Sequence, residues 1–335
     1  SDLGQSGPIS PSTVIDKVLI MPTTAFVFPG QGSQKPGMGH ALAETFGAAR
    51  EVYEQIDDAL GQNLSKLMFE GPAEELTLTA NAQPALMAVS LATVEVLRRD
   101  FNIELADKGT MVAGHSLGEY SACAAIGVLD IGTTAKLLRL RGETMQAAVP
   151  PGEGAMAAIL GLDLDAVTAL VADAVEDDVL AVANDNAPGQ VVVSGIAKAV
   201  ERAIALAKEK GAKRALPLPV SAPFHCRLMA PAADAMADAL AQTDLTPPSL
   251  PLVSNITAQA VDAPADLRRI LVEQVTGTVR WRECVGYMAA QGIEAIYELG
   301  AGAVLTGLVK RIDRSITAGN AGMPAEIEAL ATALS

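Results

Sequence analysis

The chain has 335 residues, half of them hydrophobic and few of them aromatic, enough for a large core with a smaller unit attached. A formal net charge of −15 argues against nucleic acid and anionic membrane as partners, and no run of about twenty apolar residues marks a membrane span. Three cysteines lie far apart (Cys123, Cys226, Cys284) and there are only three histidines, so the reading is reduced thiols of a cytoplasmic protein with no metal, no cofactor and nothing that demands more than a monomer.

Residues 1–20 are polar and spotted with Gly, Pro and Ser. Because Met21 reads as a start, they are taken as a tag scar or disordered arm. Thr24–Phe28 is a short buried-strand run ending in the Gly-rich turn Pro29-Gly30-Gln31-Gly32-Ser33-Gln34. Gln31 either faces a ligand or belongs to an ordinary strand-ending turn. No Gly-Lys-Ser/Thr follows, so the turn is not a phosphate loop. Helical patterns cover Gly39 to Leu60, followed by a polar surface segment through Gly71-Pro72. Gln83-Pro84-Ala85-Leu86 opens a helix that runs to about Arg99, with Pro84 in its first turn. On the residues alone, Gln83 reads first as a solvated helix-start residue and second as a cleft residue.

The sharpest signal is Val112-Ala113-Gly114-His115-Ser116-Leu117-Gly118-Glu119-Tyr120. It is Gly-x-Ser-x-Gly between an apolar run and a helical pattern from Leu117 to Leu129, the arrangement of a nucleophile elbow. The chain turns sharply and exposes the serine hydroxyl. Glycines at 114 and 118 avoid side chains that would obstruct the turn. The Leu117 N–H, at the start of the helix, is placed to hold an oxyanion.

Asp130 caps a helix to about Ala148 that carries Arg141, and a helix packing back beside the elbow would return that arginine to the serine. Pro150-Pro151-Gly152 breaks the chain. The order that follows is strand, helix, two strands, helix, strand, ending near Val220, which reads as a ferredoxin-like unit. Residues 150–220 are therefore assigned to a small inserted domain, and 21–149 with 221–335 to a large α/β domain. Asn184 and Asn186 fall at the predicted hairpin, where turn geometry and a cleft-lining role explain them equally. After it come helix Met229–Leu240, strand Leu252–Ser254, helices Leu267–Val275 and Trp281–Gln291, strand Ala295–Leu299, and an Ala-rich tail, helical near its end.

A serine nucleophile needs a base. His115 adjoins Ser116 and is read as structural, buried under the turn; His40 is assigned to the surface. His225, at a strand end where active-site loops of α/β sheets gather, is the candidate, with no acidic residue evident as a third member.

Together, Phe28-Pro29-Gly30-Gln31-Gly32-Ser33-Gln34, Gln83-Pro84-Ala85-Leu86, the Gly114–Tyr120 motif, Arg141-Gly142, Phe224-His225 and Tyr297-Glu298-Leu299-Gly300 resemble, in order, the malonyl-CoA:acyl-carrier-protein transacylases over about residues 23–315. The resemblance implies an α/β-hydrolase-like large domain with an inserted ferredoxin-like domain. It implies Ser116 as nucleophile, His225 as base and acid, and Leu117 N–H with the Gln31 loop as oxyanion hole. Arg141 would clamp the malonyl carboxylate, and Gln274 would orient the dyad through its carbonyl. Gln83, Asn184 and Asn186 match pocket positions, and Phe224 matches a bulky residue that crowds an α-methyl branch. Thr278 stands before Val279-Arg280-Trp281 where proline is frequent in the family, so a differently shaped loop is expected there. The implied partners are malonyl-CoA and holo acyl carrier protein, in fatty-acid synthesis. Lys208, Lys210, Lys213 and Arg214 form a candidate docking patch for an acidic carrier, equally readable as a solvated helix end.

Overall fold

The computed structural model describes residues 23–220 and 222–335, so the expectation for residues 1–20 lies outside the described residues. The larger sheet is built from β1 (Thr24–Phe28) and β2 (Met111–Gly114). The chain then makes a second sheet from β3 (Gly154–Leu160), β4 (Leu180–Ala187), β5 (Gln190–Ile196) and β6 (Arg214–Pro217). It returns to the first with β7 (Leu252–Val253), β8 (Ala260–Val261), β9 (Ala295–Leu299) and β10 (Thr317–Ala321). The six-stranded order is β10-β9-β1-β2-β7-β8, parallel except for β8 against β7. The four-stranded order is β4-β5-β3-β6, antiparallel throughout.

The parallel sheet is covered on both faces, as βαβ crossovers require. Alternation along β1 shows it: Phe26 and Phe28 enter one core cluster, Ala25 and Val27 the other. The small sheet has two different faces. Ala157, Ile159, Val191 and Val193 pack on the helices Leu164–Ala174 and Ala197–Glu209. On the opposite face Met156, Ala183 and Val192 join the main core. That second face forms one wall of a cleft.

Several sequence expectations change. Pro84 does not open its helix, which starts at Thr79 and runs to Asp100, placing the proline in the second turn. The early start is fixed from outside: a Cβ on Gly142 would stand 2.6 Å from Ala80 Cα, so the helix Ile131–Ala147 packs backbone-close against this turn. The segment before Gly71 holds a helix, Leu64–Glu70, whose buried Leu64, Leu67 and Met68 the polar reading passed over. The elbow helix is shorter than expected, Gly118–Ala125. The Ala-rich tail contains β10, an edge strand written Thr-Ala-Gly-Asn-Ala, with too little β-branched or aromatic content to signal a strand. Asn184 and Asn186 lie inside β4, not at the hairpin tip, which is the tight Pro188-Gly189 turn.

Thr278 sits where the two sheets are joined. Its hydroxyl donates to the Val182 carbonyl at 2.7 Å, and Val279 forms an isolated parallel bridge with Asn184 of β4. Asp185, buried, pairs with Arg282 at 2.9 Å beside it.

Candidate active site

Ser116 follows β2 directly, at the carboxyl edge of the parallel sheet, with φ at 54°. This left-handed conformation is uncommon for a side chain other than glycine and marks a sharp elbow. The turn closes only because its neighbours are glycines. A Cβ on Gly114 would stand 2.0 Å from the Gly118 carbonyl, and one on Gly118 would stand 2.3 Å from the Phe28 carbonyl oxygen. Asn255, just beyond β7, braces the elbow from below: its Oδ1 accepts from the Ser116 N–H at 2.9 Å and its Nδ2 donates to the Gly114 carbonyl at 2.7 Å.

His225 reaches the serine from the other side of the cleft, again from a left-handed backbone (φ 57°). Its Nε2 lies 2.8 Å from Ser116 Oγ and its Nδ1 lies 3.0 Å from the main-chain oxygen of Gln274. These partners select one tautomer. Nδ1–H donates to the carbonyl, leaving the Nε2 lone pair for the serine proton. Burial first, then the nearby Arg141 charge, pushes the ring's pKa down to about 3, against the pull of the Gln274 carbonyl. The ring is therefore neutral at neutral pH, the form that accepts a proton.

Arg141 is the largest buried cation of the site, 1% exposed. Its guanidinium donates to Gln83 Oε1 at 2.7 Å, to Gln274 Oε1 at 2.7 Å and to Ser116 Oγ at 3.2 Å. The Tyr120 ring lies 5.8 Å from its Cζ. Among the described residues no carboxylate lies within ion-pair distance of it. Burial lowers its pKa from the usual range. Gln83, read first as a solvated residue, is buried and holds this guanidinium, because the helix begins a turn earlier than its proline suggested.

These groups open into a cavity of about 470 Å³ between the two sheets. Gln31, Gln83, Ser116, Leu117, Arg141, Asn184, Asn186, Phe224 and His225 all line it. Gln274 does not; it is fully buried behind Arg141 and His225. The N–H groups of Gln31 and Leu117 have no protein acceptor among the described residues, and the Gln31 side chain is tied to Thr79 Oγ1 at 3.0 Å. His115 departs from expectation. It is half-buried, not sealed under the turn, and its ring lines the cavity with Nε2 2.8 Å from Asn186 Oδ1. A Cβ on Gly30 would press on the His115 carbonyl and Nδ1, so a glycine in the first loop leaves room for His115. His40 is exposed, as expected, beside Glu44.

Residues 25–327 match the acyl transferase domain family. The chain belongs to that family, among the malonyl CoA-acyl carrier protein transacylases. The transacylase of that name from Bacillus subtilis (strain 168) is 46% identical over 297 residues, 88% of this chain and 92% of that protein. The crystal structure of acyl-carrier-protein-S-malonyltransferase from Bartonella henselae superposes with a TM-score of 0.91 at 52% identity, covering 93% of this chain and 99% of that one. A malonyl-transacylase solved in complex with a type II PKS acyl-carrier protein superposes at 0.89 with 41% identity, covering 93% and 99%.

Within this acyl transferase, sequence reasoning passed over two residues that contact the site: Asn255, which accepts from the Ser116 N–H, and Glu119, which accepts from Gln274 Nε2 at 2.6 Å. Glu119 stood inside the quoted motif without a role, and Asn255 stands at a strand end where such loops gather. Glu298, in the closing motif, is architectural: its buried carboxylate accepts from the Leu305 and Thr306 N–H groups and caps the helix Val304–Ile312.

Proposed function

We propose that the protein transfers the malonyl group from malonyl-CoA to the phosphopantetheine thiol of acyl carrier protein, supplying extender units for fatty-acid synthesis in the cytoplasm. The observation that carries this reading is Arg141, a buried guanidinium without a carboxylate partner among the described residues, hydrogen-bonded to the hydroxyl of a Ser–His pair. A free carboxylate entering the cavity replaces neutral acceptors with a charge-assisted, two-pronged pair.

In the first half-reaction Ser116 Oγ attacks the thioester carbonyl while His225 Nε2 takes its proton. The oxyanion is held by the Leu117 and Gln31 N–H groups. The tetrahedral intermediate collapses, the C–S bond breaks, and His225 returns the proton to the departing CoA thiolate. In the second half-reaction His225 takes the proton of the carrier thiol, whose sulfur attacks the malonyl-serine ester; the ester C–O bond breaks and His225 returns the proton to Ser116 Oγ. Acetyl would leave the Arg141 site without its anion, a loss of about 2–5 kcal/mol for a buried charge pair.

The two sheets support a division into an α/β-hydrolase-like large domain (21–149 and 221–335) and a ferredoxin-like small domain (150–220), whose strand order β4-β5-β3-β6 fits that topology. Asn184, Asn186 and Phe224 line the substrate side of the cleft. Carrier docking is assigned to Lys208, Lys210, Lys213 and Arg214. All four are exposed, and β6 continues from Arg214 toward Leu218, Pro219 and Val220 on the cavity wall. The test is transfer itself. Protein, malonyl-CoA and holo carrier protein are mixed and the carrier is weighed by mass spectrometry. Malonyl-carrier at catalytic turnover is expected; free malonate in its place would identify a thioesterase.

A further inference from the structure

Behind the cavity the fold buries a second charge. Glu119, in the first turn of the elbow helix, is fully buried, and no described lysine or arginine lies within ion-pair distance of it. Its Oε1 accepts from the Asn255 N–H at 2.6 Å and its Oε2 accepts from Gln274 Nε2 at 2.6 Å. The other end of the same Gln274 amide, Oε1, accepts from Arg141 at 2.7 Å. One amide therefore separates a buried anion from a buried cation. We propose that Glu119 is a positioning residue that fixes the polarity of the Gln274 amide and thereby holds the Arg141 guanidinium open and oriented for the substrate carboxylate.

An amide can present its NH2 or its C=O to either side. The acceptor at Glu119 holds the NH2 end inward together with the Ser116 carbonyl, to which that end donates at 2.8 Å, and leaves the C=O end facing Arg141. Reversal would point NH2 at guanidinium and C=O at the Ser116 carbonyl, two like-with-like contacts in a buried site. A direct Glu–Arg contact would neutralise the cation and compete with the substrate; the interposed amide lets Glu119 balance the charge from one residue away. Burial raises the Glu119 carboxyl, and the Asn255 N–H, the Gln274 amide and the Arg141 charge oppose that rise; with an N–H donor aimed at each carboxyl oxygen, the geometry fits the ionised form.

The proposal deepens the malonyl-transfer reading and rests on it for the identity of the anion. Its test is Glu119→Gln, which keeps the shape but removes one of the two acceptors. The Asn255 N–H is fixed backbone and takes the remaining oxygen, so the new NH2 group meets Gln274 and drives its amide to reverse. Malonyl and acetyl transfer to holo carrier protein are compared in wild type and variant. The preference for malonyl over acetyl is expected to fall about tenfold or more. An equal loss for both acyl groups, the signature of a merely structural role, overturns the proposal. Should E119Q not fold, infrared difference spectra of 13C-glutamate-labelled wild type and Arg141→Ala, recorded without substrate, read the same coupling. Removing the guanidinium, whose charge favours the ionised form, should shift the pH at which the protonated-carboxyl band disappears upward, and identical titrations overturn the proposal. Wild type that fails to transfer malonyl would count against the substrate reading alone, because the spectral comparison needs no substrate.

Discussion

The His225 ring is oriented by the main-chain oxygen of Gln274, 3.0 Å from Nδ1, and not by a carboxylate. A third acidic member is unnecessary because the tautomer is already fixed and the ring never needs a buried counter-ion at rest. Gln274→Ala should therefore spare the base. Malonyl transfer is expected to drop about 10- to 100-fold, as Arg141 and the Ser116 carbonyl lose their amide, while the acid limb of the pH–rate profile stays in place. A shifted limb, measured from kcat/KM against pH, would show that the side chain and not the backbone sets the ring.

The low pKa of His225 makes a second prediction. Its folded value, about 3, lies below the ordinary 6.5. The sign is that of a group binding fewer protons when folded. Its contribution to stability is complete above about pH 6.5 and is lost as pH falls toward 3. Activity should hold at pH 5.5, where an ordinary histidine would already be mostly protonated, and denaturation midpoints should decline below pH 6.5. Replacing His225 with Ala should lower kcat by about 10²–10⁴ and remove its share of the stability decline.

Arg141→Ala should cut malonyl transfer by about 10²–10³, corresponding to the cost of losing a buried charge-assisted pair, and raise acetyl transfer relative to malonyl. An unchanged malonyl/acetyl ratio in steady-state assays would remove the guanidinium from acyl recognition.

Phe224 lines the cavity beside His225 and is 8% exposed. Phe224→Ser should open room at the α-carbon, raising methylmalonyl transfer relative to malonyl by about 10-fold, the scale of a methyl-sized discrimination. Competition between the two thioesters, read as the masses of the loaded carrier, checks it.

The glycines of the elbow make a stability prediction. A methyl at Gly114 would lie 2.0 Å from the Gly118 carbonyl, which no side-chain motion relieves. Gly114→Ala should destabilise the protein by more than about 4 kcal/mol or prevent folding, read from thermal melts of soluble protein.

The elbow was legible because its chemistry is local: Gly114, Ser116 and Gly118 share one turn, and each glycine excludes a specific atom. The same holds for Asp130, whose carboxylate caps its own helix at the Thr133 N–H. What stayed hidden depends on packing between distant segments. Pro84 read as a first-turn residue because the close approach of Gly142, which favours an earlier start, leaves no mark near position 84. His115 read as structural because adjacency to Ser116 suggests opposite orientations, whereas its ring lines the cleft and meets Asn186 there, beside a Gly30 that leaves it room. Glu119 and Asn255 lie far apart in the chain, and their joint role exists only once Gln274 is threaded between Glu119 and Arg141. No described helix is long and apolar enough to cross a bilayer.

The central claim is a malonyl-serine ester on Ser116, and intact-protein mass tests it most directly. Wild type and Ser116→Ala are mixed briefly with malonyl-CoA and weighed, then weighed again after holo carrier protein is added. The account predicts one malonyl increment on wild type alone, discharged by the carrier and stable without it. An increment that persists in Ser116→Ala, its absence from wild type, or its loss to water at the same rate without carrier would contradict the mechanism.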